Sequence, residues 1–379
     1  MKTLNLFDEI NSQPYYQRLE EWKRETGKHI IGCWGLYVPE EMIHALDILP
    51  VILFDGREPI TLGAQHWQSY MCGPVRGITD LACKGKLDFL DGMVIHDCCH
   101  EIRGSVDIIK LNASKIEYIK PMWFPKILKQ KQTRQRLMDE LKKLKDSLED
   151  FSGKEITADA LRRSIEIYNE NRDLMSELYE IRKRYPNAIK AGQMQHIILT
   201  GMQMPKEEHS KLLKDLLVDI QAGEFPEDER VRIVLSGSLC DEVPEELLDI
   251  IEDVGGCVVN DDLYVGSRYF LTRVSNADDP FEALADRYID MVSPCPTTQD
   301  PSNDLGKYLI NMIDKSRAGG IINIITKFCE AHCHIYPWVR YACRDAGVPE
   351  LLIETEHEVT SFDPIKTRIQ AFVELIKGD

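Results

Sequence analysis

The chain has 379 residues, of which 43% are hydrophobic and 29% charged, and its formal net charge is −17. That length supports two or three well-packed domains, and that charge repels a polyanion, so nucleic acid is excluded as the expected partner. The start turns acidic at Asp8-Glu9 before an apolar run develops, and no stretch reaches the roughly 18 uncharged apolar residues of a membrane helix, so a cytoplasmic protein with no membrane contact is expected.

In chain order, His29–Cys33 reads as a strand. Val38-Pro39-Glu40-Glu41 then opens a helix through Ala45, because proline suits a first helical turn and carboxylates complement its dipole. Leu49–Phe54 follows as a strand, and Gly92–His96 is another, ending at Asp97-Cys98-Cys99. A helical stretch covers roughly 126–222, with charged, proline-free runs from Lys131 to Phe151 and from Ile165 to Tyr185, the latter broken by Pro186. Val231–Gly237 is a strand, Val243-Pro244-Glu245-Glu246 opens the next helix, and Cys257–Val259 is the strand after Gly255-Gly256. A third copy of the pattern runs from Gly320–Ile325 through the Cys329 loop and a helix over Pro337–Asp345 to Leu351–Glu354, and a last helix covers Pro364–Ile376. Short apolar runs alternating with helices predict parallel sheets covered on both faces. The expected organisation is an α/β domain over residues 1–125, a helical connecting segment over 126–225 and a second α/β domain over 226–379.

Eleven cysteines need an explanation, and in a reducing compartment disulfides are a poor one. Ligands of open parallel sheets gather at the carboxyl ends of the strands. Cys33, Cys98, Cys99, Cys329 and Cys333 fall there, and Cys72 lies in the turn-prone Met71-Cys72-Gly73-Pro74. Adjacent side chains in extended backbone point apart, so Cys98 and Cys99 do not easily grip one iron, whereas Cys329 and Cys333 span one helical turn. One iron–sulfur cubane uses at most four thiolates, so six suffice for two cubanes with three each. Zinc on Cys329 and Cys333 with His332 or His334 is the competing metal site. Cys83, Cys240, Cys257, Cys295 and Cys343 read as structural. His96, His100, Glu101, Arg103, His332 and His334 are the polar candidates beside the cysteines, as proton donors or as hydrogen-bond donors to sulfur. No G-x-x-x-x-G-K-[ST] loop exists, so any ATP must be bound by another protein.

Gly32-Cys33 with Tyr37-Val38-Pro39-Glu40-Glu41, Leu49-Pro50-Val51, Cys72, Cys99, Lys327-Phe328-Cys329 with Tyr336-Pro337, Gly347-Val348-Pro349 with Ile353-Glu354, and the run Arg368–Glu374 carry a resemblance over nearly the whole chain. By these residues the chain resembles the cluster subunits of 2-hydroxyacyl-CoA dehydratases and benzoyl-CoA reductases. The resemblance implies a [4Fe-4S] cluster on Cys72, Cys99 and Cys329, and a separate ATP-hydrolysing [4Fe-4S] activator that injects the electron. Dehydratase subunits usually carry Cys-Asp where this chain has Cys99-His100, and they lack Cys98 and Cys333. Those additions resemble the double-cubane branch, in which six cysteines hold an [Fe8S9] cluster.

The resemblance then implies Cys72, Cys99 and Cys329 on one cubane and Cys33, Cys98 and Cys333 on the other. It further implies two flavodoxin-like domains with the cluster in their cleft, a homodimer, and ATP-dependent reduction of small, acetylene-like molecules. The alternatives are a single-cubane acyl-CoA dehydratase or benzoyl-CoA reductase subunit, and a non-catalytic electron carrier.

Overall fold

The computed structural model describes residues 1–55, 58–237, 240–298, 300 and 304–378. Two four-stranded parallel sheets organise the chain. The first contains β1 (Ile30–Trp34), β2 (Leu49–Ile52), β3 (Gly92–His96) and β4 (Tyr118–Met122), in the order β2-β1-β3-β4. The second contains β5 (Val231–Gly237), β6 (Gly256–Leu263), β7 (Gly320–Thr326) and β8 (Glu350–Thr355), in the order β6-β5-β7-β8. Both sheets run in the flavodoxin-like order, with the direction of winding reversing beside β1 and β3 and again beside β5 and β7.

The strands are continuous apolar runs because both faces are covered. In the second sheet one face packs Leu247, Leu248, Ile251, Ile369 and Phe372 against Ile322 and Ile324, while the other packs Leu305, Leu309, Val339 and Cys343 against Val234 and Ile321. The predicted strands all form, and β4, which lacks a clear apolar run, is added at the edge of the first sheet.

Helices Thr133–Ser152, Ala158–Arg184, Ala191–Met202 and Lys206–Gln221 fill the chain between β4 and β5. Helix Ala158–Arg184 starts on Thr157, whose side chain accepts the Ala160 N–H, and ends at Tyr185, one residue before Pro186. The N-terminal helix Lys2–Asn11 packs against Ala191–Met202 and Lys206–Gln221. Glu40 and Glu41 begin helix Glu40–His44, but both are buried, so they need cationic partners as well as the dipole. Lys206 stands 3.4 Å from Glu40, and Arg172 pairs with Glu41. No described helix is long and apolar enough to cross a membrane.

Candidate cluster site

The carboxyl ends of the two sheets present cysteines to one cavity. Cys72, Cys98, Cys99, Cys240 and Cys329 line it, with Pro74, Val75, Ile102 and Ala331 forming an apolar wall and Glu101 and Glu330 at its margin. It spans about 450 Å³, part of it open to solvent. Cys98 and Cys99 follow β3, Cys240 follows β5 and Cys329 follows β7, so the strands beside both winding reversals contribute.

Cys72, Cys99 and Cys329 share one local structure. Each is the N-cap residue of a helix: Gly73–Cys83, His100–Asn112 and Glu330–Asp345 respectively. The sequence favours helix starts there, through Pro74 in the first turn of one helix and Glu101 and Glu330 in the first turns of the others. Three helix N-termini therefore converge on the cavity with their partial positive charge, a setting that favours thiolate and other anionic sulfur.

Without a cation the thiols oppose one another. Burial acts first on Cys72 and on Cys329, taking Cys329 to about 12. Contact with Cys98 acts first on Cys99, contact with Cys240 acts first on Cys98, and both are raised. The Cys98 contact lowers Cys240, and burial outweighs it. In the other direction, the backbone N–H groups of Val75, Ile102 and His332 pull down Cys72, Cys99 and Cys329. A positively charged metal–sulfide core would supply the missing charge and leave these sulfurs as thiolates. The donor set, soft sulfur in an apolar wall, fits an iron–sulfur cluster. Among the described residues no three His, Cys, Asp or Glu side chains stand close enough to hold a single metal ion, so the zinc arrangement on Cys329, Cys333 and His332 or His334 does not form.

Two of the six cysteines proposed from sequence lie apart from this cavity. Cys33 sits inside β1, fully buried, and its thiol points to the Ile31 carbonyl at 3.9 Å. It faces the side of the sheet where Glu40 and Lys206 lie, not the strand end. Cys333 is exposed one turn into its helix. The one-turn argument for Cys329 and Cys333 holds only when both residues are helical. Cys329 is a cap with ψ 94°, which turns its side chain out of the helical series. Conversely, the vicinal Cys98 and Cys99 both reach the cavity. Cys240, read as structural, is the thiol that sequence reasoning missed, although it lies three residues beyond the end of β5 and the strand-end rule applies to it as to Cys98. Its backbone is left-handed, with φ 60°, a strained state for a residue with a side chain.

Of the polar candidates, Glu101 lines the cavity. His96 is buried against Phe124, ring centroids 4.7 Å apart, with neither ring nitrogen hydrogen-bonded. Burial and then Lys126 lower it to about 3, so it is neutral near pH 7. Burial, then Arg268, likewise lowers His332 to about 3. Arg103 holds Asp97 through two hydrogen bonds of 3.1 and 2.8 Å and braces the Cys98 loop. His100 and His334 are exposed.

Residues 35–376 match the family described as 2-hydroxyglutaryl-CoA dehydratase, D-component. The chain is 30% identical to the (R)-phenyllactyl-CoA dehydratase beta subunit of Clostridium sporogenes, covering 99% of both chains. It is 30% identical to a benzoyl-CoA reductase subunit of Thauera aromatica, over 94% of this chain and 93% of that one. It is 24% identical to the (R)-2-hydroxyglutaryl-CoA dehydratase beta subunit of Acidaminococcus fermentans, over 97% of each. With the match spanning nearly the whole chain and containing all five cavity cysteines, the chain belongs to the 2-hydroxyglutaryl-CoA dehydratase D-component family of enzyme subunits.

Proposed function

We propose that this chain is the iron–sulfur subunit of an enzyme of the acyl-CoA dehydratase or benzoyl-CoA reductase type, with a [4Fe-4S] cluster on Cys72, Cys99 and Cys329. The observation that carries the reading is the convergence of three helix N-caps, each a cysteine, on one apolar cavity. When bound, the cluster would supply a low-potential electron to the substrate. The chain's own residues hold the sulfurs, keep water from them through Pro74, Val75, Ile102 and Ala331, and favour negative charge with the helix ends. The chain has no phosphate-binding loop, so the electron comes from a separate ATP-hydrolysing iron–sulfur activator. The relatives are named as subunits, which supports assembly with further chains, and a homodimer is the simplest such assembly.

The test is anaerobic purification with iron and acid-labile sulfide analysis. Cys72→Ala, Cys99→Ala and Cys329→Ala are each expected to lose most of the iron, while Cys83→Ala keeps it. Full iron content in the first three variants refutes the assignment.

A second reading is favoured by Cys98 and Cys240, which add two thiols to the same cavity. It is an [Fe8S9] double cubane, with small unsaturated molecules of the acetylene type as substrates. Cys33 and Cys333, which lie apart from the cavity, are replaced in it by Cys240 as the added ligand beside Cys98. About eight irons per chain favour this reading and about four favour the first. Cys98→Ala and Cys240→Ala then lower the iron content only if the larger cluster is present.

A further inference from the structure

A second buried cavity lies beside the first, and the substrate readings above do not use it. Its wall includes Tyr37, Glu40, Tyr264, Arg268, Arg287 and Ser293. Tyr264 separates the two cavities, with Cys240 and Cys98 near it on one side and Glu40 on the other.

The polar groups of this second cavity are nearly all committed. Arg268 gives Nη2 to Asp262 at 2.5 Å and to the Pro294 carbonyl at 2.9 Å. Ser293 donates to the other oxygen of Asp262. Tyr269 donates to Glu40 at 2.9 Å, beside Lys206. Arg287 donates to the Thr272 carbonyl at 2.9 Å and stands 4.0 Å from Glu41, which Arg172 already holds.

Two donors are left over. Arg268 Nη1 and the Tyr264 hydroxyl are buried and have no hydrogen-bond partner among the described residues. Arg268 is 7% exposed and Tyr264 1%. An orphaned guanidinium N–H costs free energy comparable to a lost charged hydrogen bond, so native structures pair such groups. The charges point the same way. Lys206, Arg172, Arg287 and Arg268 face three carboxylates, Glu40, Glu41 and Asp262, and are one anion short. The interior leaves about 30 Å³ for the centre of a water-sized sphere, which is room for a group of roughly two or three non-hydrogen atoms and not for a coenzyme A.

We propose that this cavity is a subsite for a small carboxylate, whose oxygens accept from Arg268 Nη1 and the Tyr264 hydroxyl. It would hold a free acid group one tyrosine away from the cysteine cavity. The proposal rests on the iron–sulfur reading only for what happens to the ligand next, since binding itself uses no iron.

The test is titration of the iron-loaded, full-length protein with formate, followed by calorimetry or ¹³C line broadening, and repeated with acetate. Tyr264→Phe removes an unpartnered hydroxyl and keeps the ring. Its thermal stability should be unchanged or raised, while formate affinity falls by about tenfold or more. Arg268→Lys keeps the charge beside Asp262 but loses Nη1, and should weaken formate similarly. Acetyl-CoA should not compete. Competition by acetyl-CoA alone would make the group a thioester carbonyl and overturn the carboxylate assignment. Absence of formate binding to iron-loaded wild type, or equal affinity in both variants, would overturn the subsite while leaving the cluster assignment intact. Loss of the cluster assignment would show instead as wild type without iron.

Discussion

At the scale of single residues, the molecule keeps charge inside only where it is matched. Burial alone would raise the Glu41 carboxyl, but Arg172 and Arg287 hold it at about 2. A depressed carboxylate stabilises the fold at pH above its ordinary 4.5 and loses that contribution as pH falls toward 2. Glu41→Ala leaves two buried guanidinium groups uncompensated and should cost about 3–5 kcal/mol in urea denaturation at neutral pH. The same variant should flatten the acid limb of the stability profile between those two values. The six residues from Gly32 to Tyr37 make the opposite point. Cys33 looks like Cys98 on paper, a thiol at a strand end, yet one residue of strand periodicity turns it to the covered face, where it meets Glu40 and Lys206.

At the scale of elements, the strand-to-loop junctions position the site. β5 ends at Gly237, whose φ is 112° and where an added Cβ would lie 1.9 Å from the Ile324 carbonyl oxygen of β7. Only glycine lets the chain leave the sheet there and approach Cys240. Gly237→Ala should therefore separate β5 from β7, lowering the unfolding midpoint and, if Cys240 holds metal, the iron content as well. A variant with wild-type midpoint would show that the junction is not constrained.

The helix caps belong to this scale too. Proline and acidic residues at helix starts are legible in sequence, and so was the loop position of Cys72, Cys99 and Cys329. What sequence could not show is that cap geometry takes Cys329 out of register with Cys333. A period of one turn is a property of helical backbone, and the cap is not helical.

At the scale of the whole molecule, distant segments lock the two sheets together. His357, just beyond β8, reaches Asp55 at 3.1 Å and the Glu58 carbonyl at 2.7 Å, both just beyond β2. Burial opposes its charge, and Asp55 outweighs burial, so its pKa is raised above 6.5. A raised histidine contributes fully at pH below about 6.5 and loses that contribution as pH rises through its folded-state value. Thermal unfolding of His357→Gln should show less loss of stability across that interval than wild type, and an identical profile would rule out the pair as its source. The five thiols of the cavity are equally remote, spread from Cys72 to Cys329.

The sequence by itself determined the parallel α/β architecture, because continuous apolar runs followed by Pro-Glu-Glu and Gly-rich junctions leave few other solutions. It also determined which strand ends carry sulfur, and the family. Only the tertiary structure decided which sulfurs meet. Convergence on a cavity depends on the side each strand presents and on how two sheets face one another, and neither is encoded in local spacing.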